Sequence, residues 1–153
     1  MPRVVIIGLD KISDEAFKGN AVVEWGLRSH IKSGDTVVFI HASKDLGSGG
    51  KVSAELSADV ISDMQRKVVN LAHAKLQNLN ATYSLGLENI TFSCEVIKGP
   101  SAETIAERAD KLNADAIIVG SRGLGTVKRA LLGSVSQYLA TNANTNVIIV
   151  KKF

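Results

Sequence analysis

Cysteine is nearly absent from this chain: Cys94 is the single one in 153 residues, which excludes an intramolecular disulfide and fits a reducing compartment. Aromatic residues make up only 5% of the sequence, and the 18 Lys and Arg residues form no dense block. A net charge of +3 is only mildly basic, so a nucleic-acid surface of stacked rings and cationic patches is not expected. No stretch reaches the ~18 consecutive apolar residues of a membrane-spanning helix. The N-terminal run Val4–Leu9 stops at Asp10, too short for a signal-peptide core. The sequons Asn80-Ala81-Thr82 and Asn89-Ile90-Thr91 carry no weight without such a signal. His30 and His73 sit in helical segments with no Cys or carboxylate at ligand spacing, which speaks against zinc. These absences lead to the expectation of a soluble, cytoplasmic protein without a membrane or nucleic-acid partner.

The residues present, 45% hydrophobic and 22% charged, are ordinary for a globular chain and sufficient for one domain over residues 1–153 with a sizeable core. Val4–Leu9 and Thr36–Ile40 are continuous, β-branched apolar runs that suit strands buried on both faces. Helical spacing of Phe17, Ala21 and Trp25 predicts a helix over Asp14–Ser33, stopped by Gly34. Ser43–Val52, with Gly47, Gly49 and Gly50, reads as a mobile loop. Leu56, Val60, Met64, Val68, Leu71 and Leu79 mark one face of a long helix from Ala54 to Ala81. Ile90, Phe92, Cys94 and Val96 alternate as in a half-exposed strand. Gly99-Pro100 turns the chain into a helix from Ser101 to Leu112, and Asp115–Val119 and Val147–Val150 complete the strands. Strands alternating with helices imply an α/β domain: a single open five-stranded parallel sheet with helices on both faces.

The most informative stretch runs from Gly120 to Ser134, between the fourth strand and the last helix. Gly120, Gly123 and Gly133 are spaced G-x2-G-x9-G and are followed directly by Ser134. Glycine lets backbone N–H groups approach an anion closely, and an opening helix offers unpaired N–H groups with partial positive charge. Ser134 and Gln137 form an S-x-x-Q pattern that predicts a capping box. Together they describe a polyphosphate cradle. It is not a P-loop, because Thr126 and Val127 stand where Lys and Ser/Thr are required; nor is it a dinucleotide fingerprint, because Lys128 occupies the third glycine position. Arg122, between the first two motif glycines, is the leading cation for the phosphates; Lys128 and Arg129 suit a solvated face. Ser134 suits both helix capping and a phosphate contact. Asp10, at the end of the first strand, suits either a hydrogen-bond acceptor for a base or ribose or a signal for the following helix. His41, at the end of the second strand, reads as structural, and Cys94 as a small core hydrophobe.

The motif, with Leu131-Leu132-Gly133-Ser134-Val135 inside it, resembles the ATP-binding motif of the universal stress protein family. The segments VVIIGLD and VVFIHAS match family segments in the right order, so the resemblance spans nearly the whole chain. It implies strand order 3-2-1-4-5 and a ligand crevice where the winding reverses between the first and fourth strands. It also implies a nucleotide site built from Gly8, Leu9 and Asp10, with Asp10 near the adenine. Ala42 would contribute through its backbone, joined by Val119, Gly120, Ser121, Arg122, Gly123, Leu124 and Gly125, and by Gly133, Ser134 and Val135. The expected ligand is ATP, with any Mg²⁺ riding on the phosphates near Ser134 or Thr126 rather than in a protein metal site. No catalytic residue is assigned: the P-loop lysine and a metal-carboxylate motif are missing, so a nucleotide-dependent regulatory module is expected. The enzyme alternative is an ATP-hydrolysing or adenylating protein on a related fold. The resemblance further implies a homodimer through the last strand, Val147, Ile148, Ile149 and Val150, with Asn146 where many relatives carry proline.

Overall fold

A computed structural model of the chain describes residues 2–46, 57–121 and 132–151. Five parallel strands form one sheet in the order β3-β2-β1-β4-β5, with β1 at Val4–Gly8, β2 at Thr36–Ser43, β3 at Thr91–Lys98, β4 at Ala116–Gly120 and β5 at Asn146–Val150. Alternate strand residues feed two cores. Val5, Ile7, Val37, Phe39 and Ile118 face a layer made by α1 (Asp14–Lys18), α2 (Ala21–Ser29) and α3 (Ala58–Tyr83). Ile6, Val38, Ile40, Ile117 and Val119 face α4 (Ser101–Leu112) and α5 (Ser134–Asn142). A strand's period of two sends consecutive apolar residues to opposite faces, so unbroken runs such as VVII require a helix layer on each side. Gly26 lets α2 approach the sheet: a Cβ there would stand 3.2 Å from Ile7 Cδ1.

The expected helix over Asp14–Ser33 is instead two. Asn20 interrupts it, its Oδ1 accepting from Val22 N at 3.0 Å and Val23 N at 3.1 Å as the N-cap of α2. An Asx side chain that bonds the amides ahead of it competes with helix continuation. Gly34 is not the helix stop, since α2 ends at Ser29; with φ of +87° it turns the chain toward β2, and its N–H donates to Glu88 O at 3.0 Å. The long helix begins after Ser57, whose Oγ accepts from Val60 N at 3.3 Å, and ends where Ser84 adopts φ of 53°. Val60 is exposed, because the first turns of α3 lie beyond the packed core, while Val68, Ala72 and Leu79 are buried. Leu56 and residues 47–52 of the expected loop lie outside the described residues. Among the described residues, no helix is long and apolar enough to cross a membrane.

The N-terminal ends of the strands are closed by side chains. Arg3 grips Asp35 with two bonds, Nη2–Oδ2 at 2.6 Å and Nε–Oδ1 at 3.1 Å. It also donates to His30 O at 3.1 Å, and Lys32 N–H donates to Asp35 at 2.8 Å. Burial alone would push the Asp35 carboxyl up, but the Arg3 guanidinium and the Lys32 amide outweigh it and hold the group below its ordinary range. Burial, reinforced by Arg3, pushes the neighbouring His30 imidazole down. Asp115 accepts from Val4 N at 3.0 Å, and Thr145 Oγ1 donates to Ala114 O at 2.6 Å.

Candidate functional site

The C-terminal ends are finished differently. The chain leaves β1 for α1 and α2 on one face of the sheet, and leaves β4 for α5 on the other. Because β1 and β4 are neighbours, the departing segments separate there and open a crevice at the switch point. Glycine at the end of β1 lets α4 pack onto the sheet: a Cβ on Gly8 would sit 2.9 Å from Val119 Cγ1 and 3.5 Å from Ile105 Cδ1, both in the core on the α4 side. Leu9 is buried, extends the ladder by donating to Ile40 O at 2.8 Å, and delivers the exposed Asp10 to the rim.

Two further bonds fix the neighbouring strand end. His41 Nδ1 lies 2.9 Å from Leu9 O. A carbonyl only accepts, so Nδ1 carries the proton and the ring ties β2 to β1, the structural role expected of it. Ser101 Oγ, in the first turn of α4, donates to Ala42 O at 2.6 Å. Ala42 is buried, so its contribution to any ligand is confined to backbone, and its carbonyl already holds one donor.

On the other side, Ser121 is a clasp. Its N–H donates to Val150 O at 2.8 Å, and its carbonyl accepts from Gly133 N at 2.6 Å and from Ser136 Oγ at 3.1 Å. The segment that departs at Ser121 is thereby returned to the same place at Gly133, and α5 opens beside the end of β4. Gly133 is the N-cap of α5, with φ of −64° and ψ of 159° and no side-chain cap. The expected capping box is therefore shifted out of register. Ser134 is the first helical residue, one position too late to cap, and Gln137 N–H donates to the Gly133 carbonyl at 3.0 Å. Ser136 Oγ instead braces the turn, also reaching Gly133 O at 3.0 Å. The leading N–H groups of α5, at Ser134 and Val135, have no intrahelical acceptor and point out of the helix start.

Of the expected site residues, Gly8, Leu9, Asp10, Val119, Gly120, Ser121, Gly133, Ser134 and Val135 are thus brought to one end of β1, β4 and α5, with Ala42 on the adjoining β2. Arg122, Gly123, Leu124 and Gly125, with Thr126, Lys128 and Arg129, lie outside the described residues. Among the described residues there is no cluster of His, Cys, Asp or Glu suited to hold a metal ion. Sequence reasoning missed Ser101 and Ser136. Both hydroxyls act on backbone carbonyls across the tertiary fold, and the only signal available was their position in the first turn of a helix.

A family model, "Universal stress protein family", matches residues 1–151. The chain belongs to that family. Among curated members, universal stress protein MJ0531 of Methanocaldococcus jannaschii is 29% identical over 121 residues, covering 79% of this chain and 68% of the relative. Stress response protein NhaX of Bacillus subtilis is 39% identical over 57 residues, covering 37% of this chain; that match spans 34% of NhaX's own length. Among solved structures, MJ0577 of M. jannaschii superposes with a TM-score of 0.61 at 21% identity, covering 100% of this chain and 98% of that one. A universal stress protein in complex with cAMP gives a TM-score of 0.58 at 24% identity, covering 98% and 97%. One from Arabidopsis thaliana with AMP bound gives 0.53 at 19% identity, covering 99% and 93%. The likeness to these structures over nearly the whole chain is one of fold.

Proposed function

We propose that this universal stress protein is an adenine-nucleotide-binding regulatory module, with ATP as its ligand. The observation that carries the reading is the Ser121–Gly133 clasp, which sets the open start of α5 beside the β1–β4 crevice. The phosphates lie against the Gly133, Ser134 and Val135 amides, joined by Arg122, Gly123, Leu124 and Gly125. The base lies toward Asp10 and the Ala42 backbone, over the floor made by Gly8, Leu9, Val119 and Gly120. Any Mg²⁺ rides on the phosphates. Support comes from the fold relatives in complex with cAMP and with AMP bound. The role is binding rather than turnover. Mass spectrometry of small molecules carried by the freshly purified protein, followed by calorimetric titration with ATP, tests it. An adenine nucleotide and saturable binding with at most trace hydrolysis are expected. AMP or pyrophosphate formed with turnover would replace the module by an enzyme.

The working form in this reading is a homodimer in a cytoplasmic, reducing setting. β5 is a sheet edge, with Val147, Ile148 and Ile149 only half-buried, and a long apolar edge invites pairing. A second copy's β5, antiparallel to the first, would cover it. Light scattering at micromolar concentration is expected to give twice the chain mass; monomer alone would overturn this arrangement.

A further inference from the structure

We propose that the cleft between the α1–α2 corner and the C-terminal half of α3 is a second binding site, for a small amphipathic anion. The cleft is a half-open recess of about 400 Å³ and lies in the helix layer opposite α4 and α5. It shares no residue with the nucleotide site, so either reading stands if the other fails. Its volume is about thirteen times the ~30 Å³ that a water molecule occupies in the liquid, room for a ligand of roughly a dozen heavy atoms.

The cleft has an apolar floor and a cationic wall. Phe17 and Leu79 are buried core residues, and Leu71 is half-buried beside them. Phe17 is held edge-on against Phe39 at a centroid distance of 5.4 Å, so the floor is preformed. Lys75 projects along this floor with its side chain only 14% exposed. Its Nζ donates to Lys18 O at 3.0 Å. Among the described residues its carboxylate partner is Glu24, 3.9 Å away, which is also approached by Arg28 at 3.5 Å. The Lys75 stem is buried while the bond its ammonium makes is exposed, and the ammonium carries three donors, of which the Lys18 carbonyl takes one. Lys18 itself lines the cleft, and the Arg28 guanidinium lies 3.8 Å over the ring of Tyr83 at its edge. Two lysines beside one carboxylate in the lining, with Arg28 at the edge, favour an anionic head, while Phe17, Leu71 and Leu79 favour an apolar body.

Decanoate is a suitable probe. Titrated into the ¹⁵N-labelled full chain, it should shift the Phe17, Lys75 and Leu79 amides saturably, with a dissociation constant of roughly millimolar or tighter for a ligand of this size. Lys75→Met should weaken it at least tenfold, the effect of one charge-assisted hydrogen bond. Ala74→Trp, placed at an exposed position of the cleft wall, should abolish it by filling the space; this variant decides the matter if Lys75→Met does not fold. Decyltrimethylammonium should leave the three amides unmoved. No saturable shift, shifts confined to other parts of the chain, equal response to the cation, or undiminished binding by the folded variants would overturn the proposal.

Discussion

At the N-terminal ends of the strands, Arg3, Asp35, Asp115 and Thr145 close the sheet with side chains whose partners are found within the protein. At the C-terminal ends the corresponding bonds run from neutral side chains or backbone amides to carbonyls, with no charged pair among them: His41 to Leu9 O, Ser101 to Ala42 O, Gly133 N–H to Ser121 O. The difference follows from what each end has to do. A charged pair with a nearly buried carboxylate makes a rigid surface, since Asp35 accepts from Arg3 and from the Lys32 amide and Arg3 also holds the His30 carbonyl. Glycine and an opening helix keep side chains out of the crevice and leave amides directed at its space. One end holds the fold together with a charged pair, and the other leaves the start of α5 open, as the proposed ligand site requires.

The sharpest way to break this comparison is to put a side chain into the second end. Gly133 has φ of −64° and ψ of 159°, extended backbone that valine also adopts, so Gly133→Val should fold normally. It should nevertheless lose ATP binding. At about 100 times its dissociation constant, ATP should stabilise the wild type by about 2.7 kcal/mol, a melting shift of very roughly 5–10 °C. The variant should show almost none of that shift. A wild-type shift in the folded variant would remove the phosphates from this turn.

Asp35→Ala tests the opposite end. It strands the Arg3 guanidinium and the Lys32 amide, and should cost about 2–4 kcal/mol of stability, or very roughly 5–15 °C in melting temperature. ATP affinity measured well below that transition should not change. A parallel loss of affinity would mean that the two ends are coupled through the sheet.

Asp10→Ala should lower ATP and ADP affinity by similar factors, about 5- to 150-fold for a truncated hydrogen bond of roughly 1–3 kcal/mol, because its place on the rim is far from the γ-phosphate in the proposed pose. Calorimetry giving unchanged affinity would assign Asp10 to the local structure of the β1–α1 turn.

The smallest effect is pH-dependent and comes from the N-terminal end. Both His30 and Asp35 have folded values below their ordinary ones, so at intermediate pH the unfolded chain binds more protons and stability falls as pH falls. The His30 contribution should begin to drop below about 6.5 and level off beneath its lowered folded value. The Asp35 contribution should drop below about 3.9 as pH falls toward and through its own. Denaturant titrations of His30→Gln should lack the first of these slopes and keep the second. Cys94, whose thiol is pushed up to about 12 by burial and then by Glu95, should add no slope in this range.

Strand and helix identity were legible because the runs around Val5, Val37 and Ile117 carry their own burial signal. The glycine spacing likewise marked Gly120 and Gly133 before any fold was known. Local competition was harder to read. Asn20 looks like an interior helix residue until its side chain is seen bonding the amides of Val22 and Val23, and Ser134 looks like a cap until Gly133 takes that place.

By itself, then, the sequence determined which segments are strands and which are helical, since these depend on periodicity along the chain. The inward face of α2 was not legible, because Val22, Val23, Gly26 and Leu27 are buried while Ala21 and Trp25 are exposed. Only the tertiary structure decided that Ser101 would meet Ala42, that Ser121 would meet Gly133 and Ser136, and that Lys75 would meet the Lys18 carbonyl. Each of these pairs is joined by a contact whose partner is set by how helices dock on the sheet, and docking is governed by the packing of both cores together rather than by any residue's neighbours in the chain.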